Sequence, residues 1–212
     1  MNDAAVGVSL SYEESLRAQG YGRIAGVDEV GRGSWAGPIV AAAVVLPIHL
    51  PDINVLLATI DDSKKLTPAQ RQDAFQRIMN SGASVALGWS SHHVVDTDGL
   101  GAANQRALQR AVQHLPVAPQ ALLVDYFRLS NCSVTQVSLP RGDGLSLSIA
   151  AASIVAKVVR DRWMATCDRR YPAYGFASHK GYGTRAHHEA LRRHGPCALH
   201  RRSFAPVAAW RD

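Results

Sequence analysis

Cysteine is scarce in this chain. There are three in 212 residues, Cys132, Cys167 and Cys197, odd in number and far apart. No CxxC pair exists, so neither a disulfide framework nor a zinc ribbon is indicated, and a reducing, cytoplasmic setting is the simplest expectation. Long apolar runs are missing as well. None approaches the roughly 20 residues needed to cross a bilayer, so no membrane partner is expected. The opening segment, MNDAAVGVSLSYEE, has no basic n-region and carries acids, unlike a secretory signal. No repeat, low-complexity tract or long linker interrupts the chain. Acids run short toward the end: residues 157–212 hold 12 Lys/Arg against 4 Asp/Glu, whereas residues 1–156 hold 11 against 13. The net charge of +6 therefore comes from the C-terminal part. Such an excess is often only a solvated face, but it also suits a polyanion.

What is present is a good supply of core. Hydrophobic residues make up 47% of the chain, enough for one well-buried domain or a domain with an appendage. Ile24–Val27 and Pro38–Leu46 read as two strands joined through a glycine-rich turn. Thr67-Pro68-Ala69-Gln70 is a capping box with proline at the first helical position, predicting a helix to about Asn80. Ser84–Ser90 alternates and reads as a third strand. Leu100–Leu115 reads as a helix with Leu108, Ala111, Val112 and Leu115 on one face. Ala121–Val124 is a short buried strand ending at Asp125, and Cys132–Leu139 reads as another. Leu147–Arg170 reads as a long helix, Ala-rich at its start and ended by Tyr171-Pro172. A loop-like aromatic stretch follows, and Thr184 caps a short basic helix ending near Gly195. The pattern predicts an α/β sandwich around a mixed sheet, with residues 1–170 as the main domain and 171–212 as a small basic segment packed on it.

Four acids stand out by position. Asp28 and Glu29 end the first strand, before the turn Gly31-Arg32-Gly33. Asp125 ends the fourth strand. Asp143 lies in the loop RGDG. If the first and fourth strands are parallel neighbours, Asp28 and Asp125 reach one sheet edge, and Asp143 approaches from the side. Close carboxylates raise one another's pKa, and a hard divalent cation resolves that conflict. An all-oxygen set favours Mg²⁺ or Mn²⁺ over Zn²⁺ and suits hydrolysis of a phosphodiester. Consecutive strand residues point to opposite faces, so Asp28 and Glu29 share a site only if the strand ends or bulges between them. Singly, each acid also reads as an ordinary turn or cap residue.

Other polar residues are weaker markers. Lys64 and Lys65, in DDSKKL, belong to a polar turn or reach substrate phosphates. Tyr182, in HKGYGT, fills core or stacks on a sugar or base. His187, His188 and His194 are expected to be solvated or phosphate-facing. The zinc-helix pattern HExxH fails, because Arg192 stands where the second histidine should be.

With these residues in hand, the chain closely resembles the bacterial type 2 ribonucleases H (ribonuclease HII). The matching strings are GVDEVGRGSWAGPIVAAAVVL, DDSKKLT, the VD at Val124-Asp125, RGDGLSLSIAAASIVAKVVRD, YPAYGFASHKGYGT and HGPCALHRRSFAP. They run in family order from about Ile24 to Pro206. The resemblance implies a ribonuclease H-like fold: a five-stranded mixed sheet flanked by helices, with a C-terminal helical segment. It implies Mg²⁺- or Mn²⁺-dependent hydrolysis of the RNA strand of RNA–DNA hybrids. It also implies nicking 5′ of single ribonucleotides embedded in duplex DNA, leaving 3′-hydroxyl and 5′-phosphate ends. The family's metal-site acids fall on Asp28, Glu29, Asp125 and Asp143. Its ribose-sensing turn falls on Gly31, Arg32 and Gly33, and its junction-sensing tyrosine on Tyr182. Lys64, Lys157 and the C-terminal arginines would hold phosphates, and a monomer is expected.

Three positions depart from the family pattern: Arg141 where lysine is common, Tyr126 where a small residue is frequent, and Ser34-Trp35 at a variable place. None removes a ligand. Two other readings remain. One is a non-catalytic nucleic-acid-binding module that kept the fold. The other is the sister type 3 enzyme, whose extra N-terminal domain does not fit in the roughly 23 residues before the first motif.

Overall fold

Five strands form one mixed sheet, in the order β3-β2-β1-β4-β5. They are β1 (Ile24–Val30), β2 (Ile39–Val45), β3 (Ser84–Ser90), β4 (Ala121–Asp125) and β5 (Thr135–Leu139). The computed structural model describes residues 7–50, 53 and 58–210. β1, β2 and β3 make an antiparallel meander, and β4 and β5 run parallel to β1. The expectation of parallel first and fourth strands therefore holds. Val27 pairs with Val124 at the end of their ladder, so Asp28 and Asp125 come next, level with each other, where the two strands part.

Two helices sandwich the sheet. α4 (Leu100–Gln113) covers one face and α5 (Leu147–Arg170) the other. Both approach closely because glycines clear the way. A Cβ on Gly26 would lie 2.0 Å from the Ser148 carbonyl carbon, and one on Gly88 would lie 1.9 Å from the Ala107 oxygen. α5 is buried without a break from Leu147 to Ala156, which explains its Ala-rich start. α1 (Ser11–Ala18) helps to cover it: buried Glu13 accepts hydrogen bonds from Ser146 Oγ at 2.7 Å and the Ser148 amide at 2.8 Å, a carboxylate on a helix N-terminus. α2 (Pro68–Asn80) begins at the expected capping box. α3 (His92–Asp98), capped by Ser91, and α1 were not anticipated; both are too short to show a periodic apolar face.

β1 departs from expectation in a way that bears on the site. It does not stop at Val27 but continues through both acids to Val30, pairing Asp28 with Ala42 and Glu29 with Ala41. The long apolar β2 supplies a full antiparallel partner, so the ladder persists after β4 has ended. β5 starts at Thr135 rather than Cys132, after a turn in which Asn131 takes a φ of +53°.

Beyond Tyr171 the chain forms short elements, α6 (Phe176–His179), α7 (Arg185–His194) and α8 (Ala205–Ala208). Their core joins Tyr174, Phe176, Leu191 and Val207 to Met164 of α5 and to Ala36. His187 corrects a sequence expectation. It is neither solvated nor phosphate-facing but fully buried, on the inner face of α7 with Ala190 and Leu191. Its Nδ1 meets the Tyr182 carbonyl at 3.0 Å and its Nε2 meets His200 Nε2 at 3.0 Å. Burial pushes His187 down to about 4 and His200 to about 3, so both are neutral at pH 7. His188 and His194 are exposed, as expected.

Candidate active site

Where β1 and β4 diverge, a cavity of about 330 Å³ opens at the sheet edge. Asp28, Glu29 and Asp125 line it from the strands, Gly31, Arg32 and Gly33 from the turn after β1, Lys64 from the loop before α2, Lys157 from α5 and Tyr182 from the loop before α7. Asp143, in the 3-10 turn Gly142–Gly144, lines an adjoining cavity with Glu29 and Asp125. The four acids, the glycine turn, Lys64, Lys157 and Tyr182 thus line two adjoining cavities, whereas Lys65, His187, His188 and His194 line neither.

The carboxylates are held uneasily. Asp28 is almost fully buried, and burial, with Glu29 and Asp125 nearby, raises its pKa well above the usual carboxylate range. Its Oδ1 accepts the Glu29 amide at 2.7 Å. Burial likewise pushes Glu29 up to about 7; Arg32 opposes the shift and Asp125 adds to it. Glu29 Oε1 lies 3.7 Å from Arg32 Nε, while Oε2 is buried with no hydrogen-bond partner among the described residues. Burial raises Asp125 too, against a 2.7 Å hydrogen bond from the Gly142 amide. Asp143 is buried and meets Lys64 Nζ at 2.6 Å. Burial works against the Lys64 charge, but Asp143 outweighs it and the lysine pKa is raised.

Among the described residues, no three His, Cys, Asp or Glu side chains are already gathered as a metal site. The reason is local. Without a bulge, Asp28 and Glu29 leave β1 on opposite faces, toward Ser153 of α5 and Asn104 of α4 respectively. Asp143 meanwhile is paired with Lys64. The donor set still fits a hard divalent cation. It is all carboxylate oxygen, three of its members repel one another, and one buried oxygen lacks a partner.

The turn and Tyr182 are tied together. Ser34 and Tyr182 form a β-bridge, and the Trp35 amide donates to the Gly181 carbonyl at 2.8 Å. Lys157 Nζ lies 5.9 Å and the Arg160 guanidinium 5.5 Å from the centre of the Tyr182 ring. Lys157 is also paired with Asp161 at 2.8 Å. Arg32 lies over Phe127 at 4.3 Å, and Phe127 meets exposed Tyr126 edge to face at 4.7 Å.

A family model described as Ribonuclease HII matches residues 25–207. The chain belongs to the ribonuclease HII family. It is 48% identical over 205 residues to Ribonuclease HII of Herpetosiphon aurantiacus, covering 97% of this chain and 99% of that one. It is 50% identical over 198 residues to Ribonuclease HII of Chloroflexus aggregans, covering 93% of each. Membership makes it a nuclease, a hydrolase of the ribonuclease H class. Two solved structures share the ribonuclease H-like fold. One is ribonuclease H2 from Pyrococcus horikoshii OT3, with a TM-score of 0.70 at 23% identity over 88% of this chain and 96% of that one. The other is Bst-RNase HIII in complex with Mn²⁺, with a TM-score of 0.63 at 23% identity over 88% and 68%.

Sequence reasoning missed several residues of the site. Ser153, bonded to Ser63 at 2.9 Å, and Asn104 stand beside the two β1 acids. Arg71 donates to the carbonyls of Ser63 and Leu66 and so fixes the Lys64 loop. Arg160 and Arg201, assigned with other C-terminal arginines to phosphates, are fully buried. Three of the four helical ones are polar residues in phase with an apolar helix face: Asn104 among Ala103, Ala107 and Leu108, Ser153 within the buried run of α5, and Arg160 beyond it between buried Val158 and Met164. That phase was the signal that could have found them.

Proposed function

We propose that this protein is a divalent-metal-dependent endoribonuclease. It hydrolyses the RNA strand of RNA–DNA hybrids and nicks duplex DNA 5′ of a single embedded ribonucleotide, leaving 3′-hydroxyl and 5′-phosphate ends. The observation that carries the reading is the meeting of repelling carboxylates with a glycine turn and an aromatic ring in one cavity. Asp28, Glu29, Asp125 and Asp143 are the proposed holders of Mg²⁺ or Mn²⁺; the Mn²⁺ complex of a fold neighbour supports the ion class. When bound, such ions supply charge neutralisation at the phosphate and a water of lowered pKa.

The chain's own residues do the rest. Backbone groups of Gly31, Arg32 and Gly33 bond the 2′-hydroxyl, the atom that separates RNA from DNA at one nucleotide. Tyr182 packs on the neighbouring deoxyribose, so the pair reads an RNA-to-DNA step and not a base sequence. Lys64 and Lys157, each paired with an acid at rest, hold phosphates without sequence preference. The test is incubation with a duplex containing one ribonucleotide, in Mg²⁺, Mn²⁺ or EDTA, with the fragments sized. Cleavage 5′ of the ribonucleotide in either metal and none in EDTA is expected. Binding without product in any metal would leave a nucleic-acid-binding module instead.

A further inference from the structure

Two arginines are fully buried behind the glycine turn, and neither has a carboxylate within ion-pair distance among the described residues. A buried charge normally needs a counter-charge. Here main-chain carbonyls take that part. Arg201 donates from Nη2 to Gly31 O at 2.7 Å and to Gly37 O at 2.9 Å, from Nη1 to Arg32 O at 2.8 Å, and from Nε to Gly37 O at 3.1 Å. Arg160 donates from Nε to Pro38 O at 2.9 Å, from Nη1 to Lys180 O at 3.0 Å, and from Nη2 to Ser34 Oγ at 2.8 Å and Ala36 O at 3.1 Å.

The geometry of the peptide bond gives this clamp a consequence. In a planar trans peptide, a carbonyl and the following N–H point in opposite directions. Arg201 draws the Gly31 and Arg32 carbonyls inward. The Arg32 and Gly33 amides must then face the other way, and neither finds a hydrogen-bond partner among the described residues. Turn and clamp are fitted to each other. Gly31 has a φ of +94°, and a Cβ there would lie 2.3 Å from Arg160 Nε. Arg160 also reaches the segment carrying Tyr182, through Lys180 O.

We propose that Arg201 and Arg160 are positioning residues for substrate discrimination. They hold two adjacent backbone donors of the turn toward the cavity, and Arg160 fixes the distance from that turn to Tyr182. Discrimination between a ribonucleotide and a deoxyribonucleotide then depends on two side chains that never touch the substrate. The fork matters as well as the charge, because a lysine ammonium cannot span the carbonyls that one guanidinium holds.

This inference rests on the proposed reading of the turn as the 2′-hydroxyl sensor. It is tested by fluorescence anisotropy in EDTA, with two duplexes identical except for one ribonucleotide or the matching deoxyribonucleotide. The ratio of the two affinities is read, which does not depend on the fraction of folded protein. Wild type is expected to prefer the ribonucleotide. Arg201→Lys is expected to lower that preference at least fivefold while affinity for the all-DNA duplex stays within about threefold. Ser34→Ala, which removes one bond from Arg160 and leaves both arginines in place, is expected to lower it in the same direction by less, and carries the test if Arg201→Lys does not fold. A wild-type ratio in the folded variant would overturn the positioning role. A ratio near one in wild type would overturn the turn's assignment and this inference with it.

Discussion

Glu29 has the pKa most directly open to measurement. Its folded value of about 7 lies above its ordinary value near 4.5, so the folded protein binds that proton more tightly than the unfolded chain. Stability from this group is complete below about pH 4.5 and is lost as pH rises toward 7. In EDTA, Glu29→Gln should match wild type at pH 4.5 and become more stable than it toward pH 7, by up to about 3 kcal/mol. Urea melts of both proteins across that range give the comparison; parallel curves would show that Glu29 is not strained. Tyr182 makes a second case at this scale. Tyr182→Ala should reduce cleavage at one embedded ribonucleotide more than cleavage of a long hybrid, and equal losses would mark the ring as structural. Both residues were legible in the sequence, because acids beside GRG and an aromatic within glycines are unusual company. Arg201 was not, since nothing local separates a buried arginine in HRRSF from an exposed one. Exposed Arg202 beside it shows how little the string reveals.

Elements were readable where a cap or an unbroken apolar run defines them. The α2 capping box, the Thr184 cap and the long α5 all lie where their residues predict. The end of β1 was not readable, because its partner β2, not its own residues, decides how far it runs. That difference sends Asp28 and Glu29 to opposite faces, a feature of the site that spacing alone left open. The β1–α5 contact yields a prediction at this scale. Gly26→Ala would place a methyl within 2.4 Å of the Ile149 amide and force α5 away. We expect a loss of about 2 kcal/mol or more in stability, with reduced cleavage, since α5 carries Ser153 and Lys157. Gly101→Ala is the control: it lies in α4 with nothing within 4 Å of the new methyl and should stabilise by about 0.5 kcal/mol. Thermal melts of the two variants should move in opposite directions.

For the molecule as a whole, the C-terminal charge excess works from outside and from within. Arg169, Arg170, Arg192, Arg193 and Arg202 are exposed and can meet phosphates, Arg185 is exposed but paired with Glu189 at 3.0 Å, and Arg160 and Arg201 are committed to the turn. Duplex affinity should therefore fall linearly with the logarithm of salt concentration. Arg192→Gln with Arg193→Gln should flatten that slope by up to about two, one for each phosphate no longer neutralised. A slope unchanged in the double variant would place the nucleic acid elsewhere. The asymmetry itself was plain in the sequence; its division into surface and interior was not, because only the fold decides which basic residues face water.

The central claim is that Asp28, Glu29, Asp125 and Asp143 act together through a divalent ion on a ribose-bearing strand. Single-turnover cleavage of a duplex with one ribonucleotide, by wild type and Asp28→Asn at saturating Mg²⁺ and again at saturating Mn²⁺, tests it most directly. Loss of even an outer-sphere partner of a metal costs about 10- to 100-fold, so Asp28→Asn should lose more than a hundredfold in both metals while still binding the duplex. Cleavage within a few fold of wild type in either metal would contradict the account.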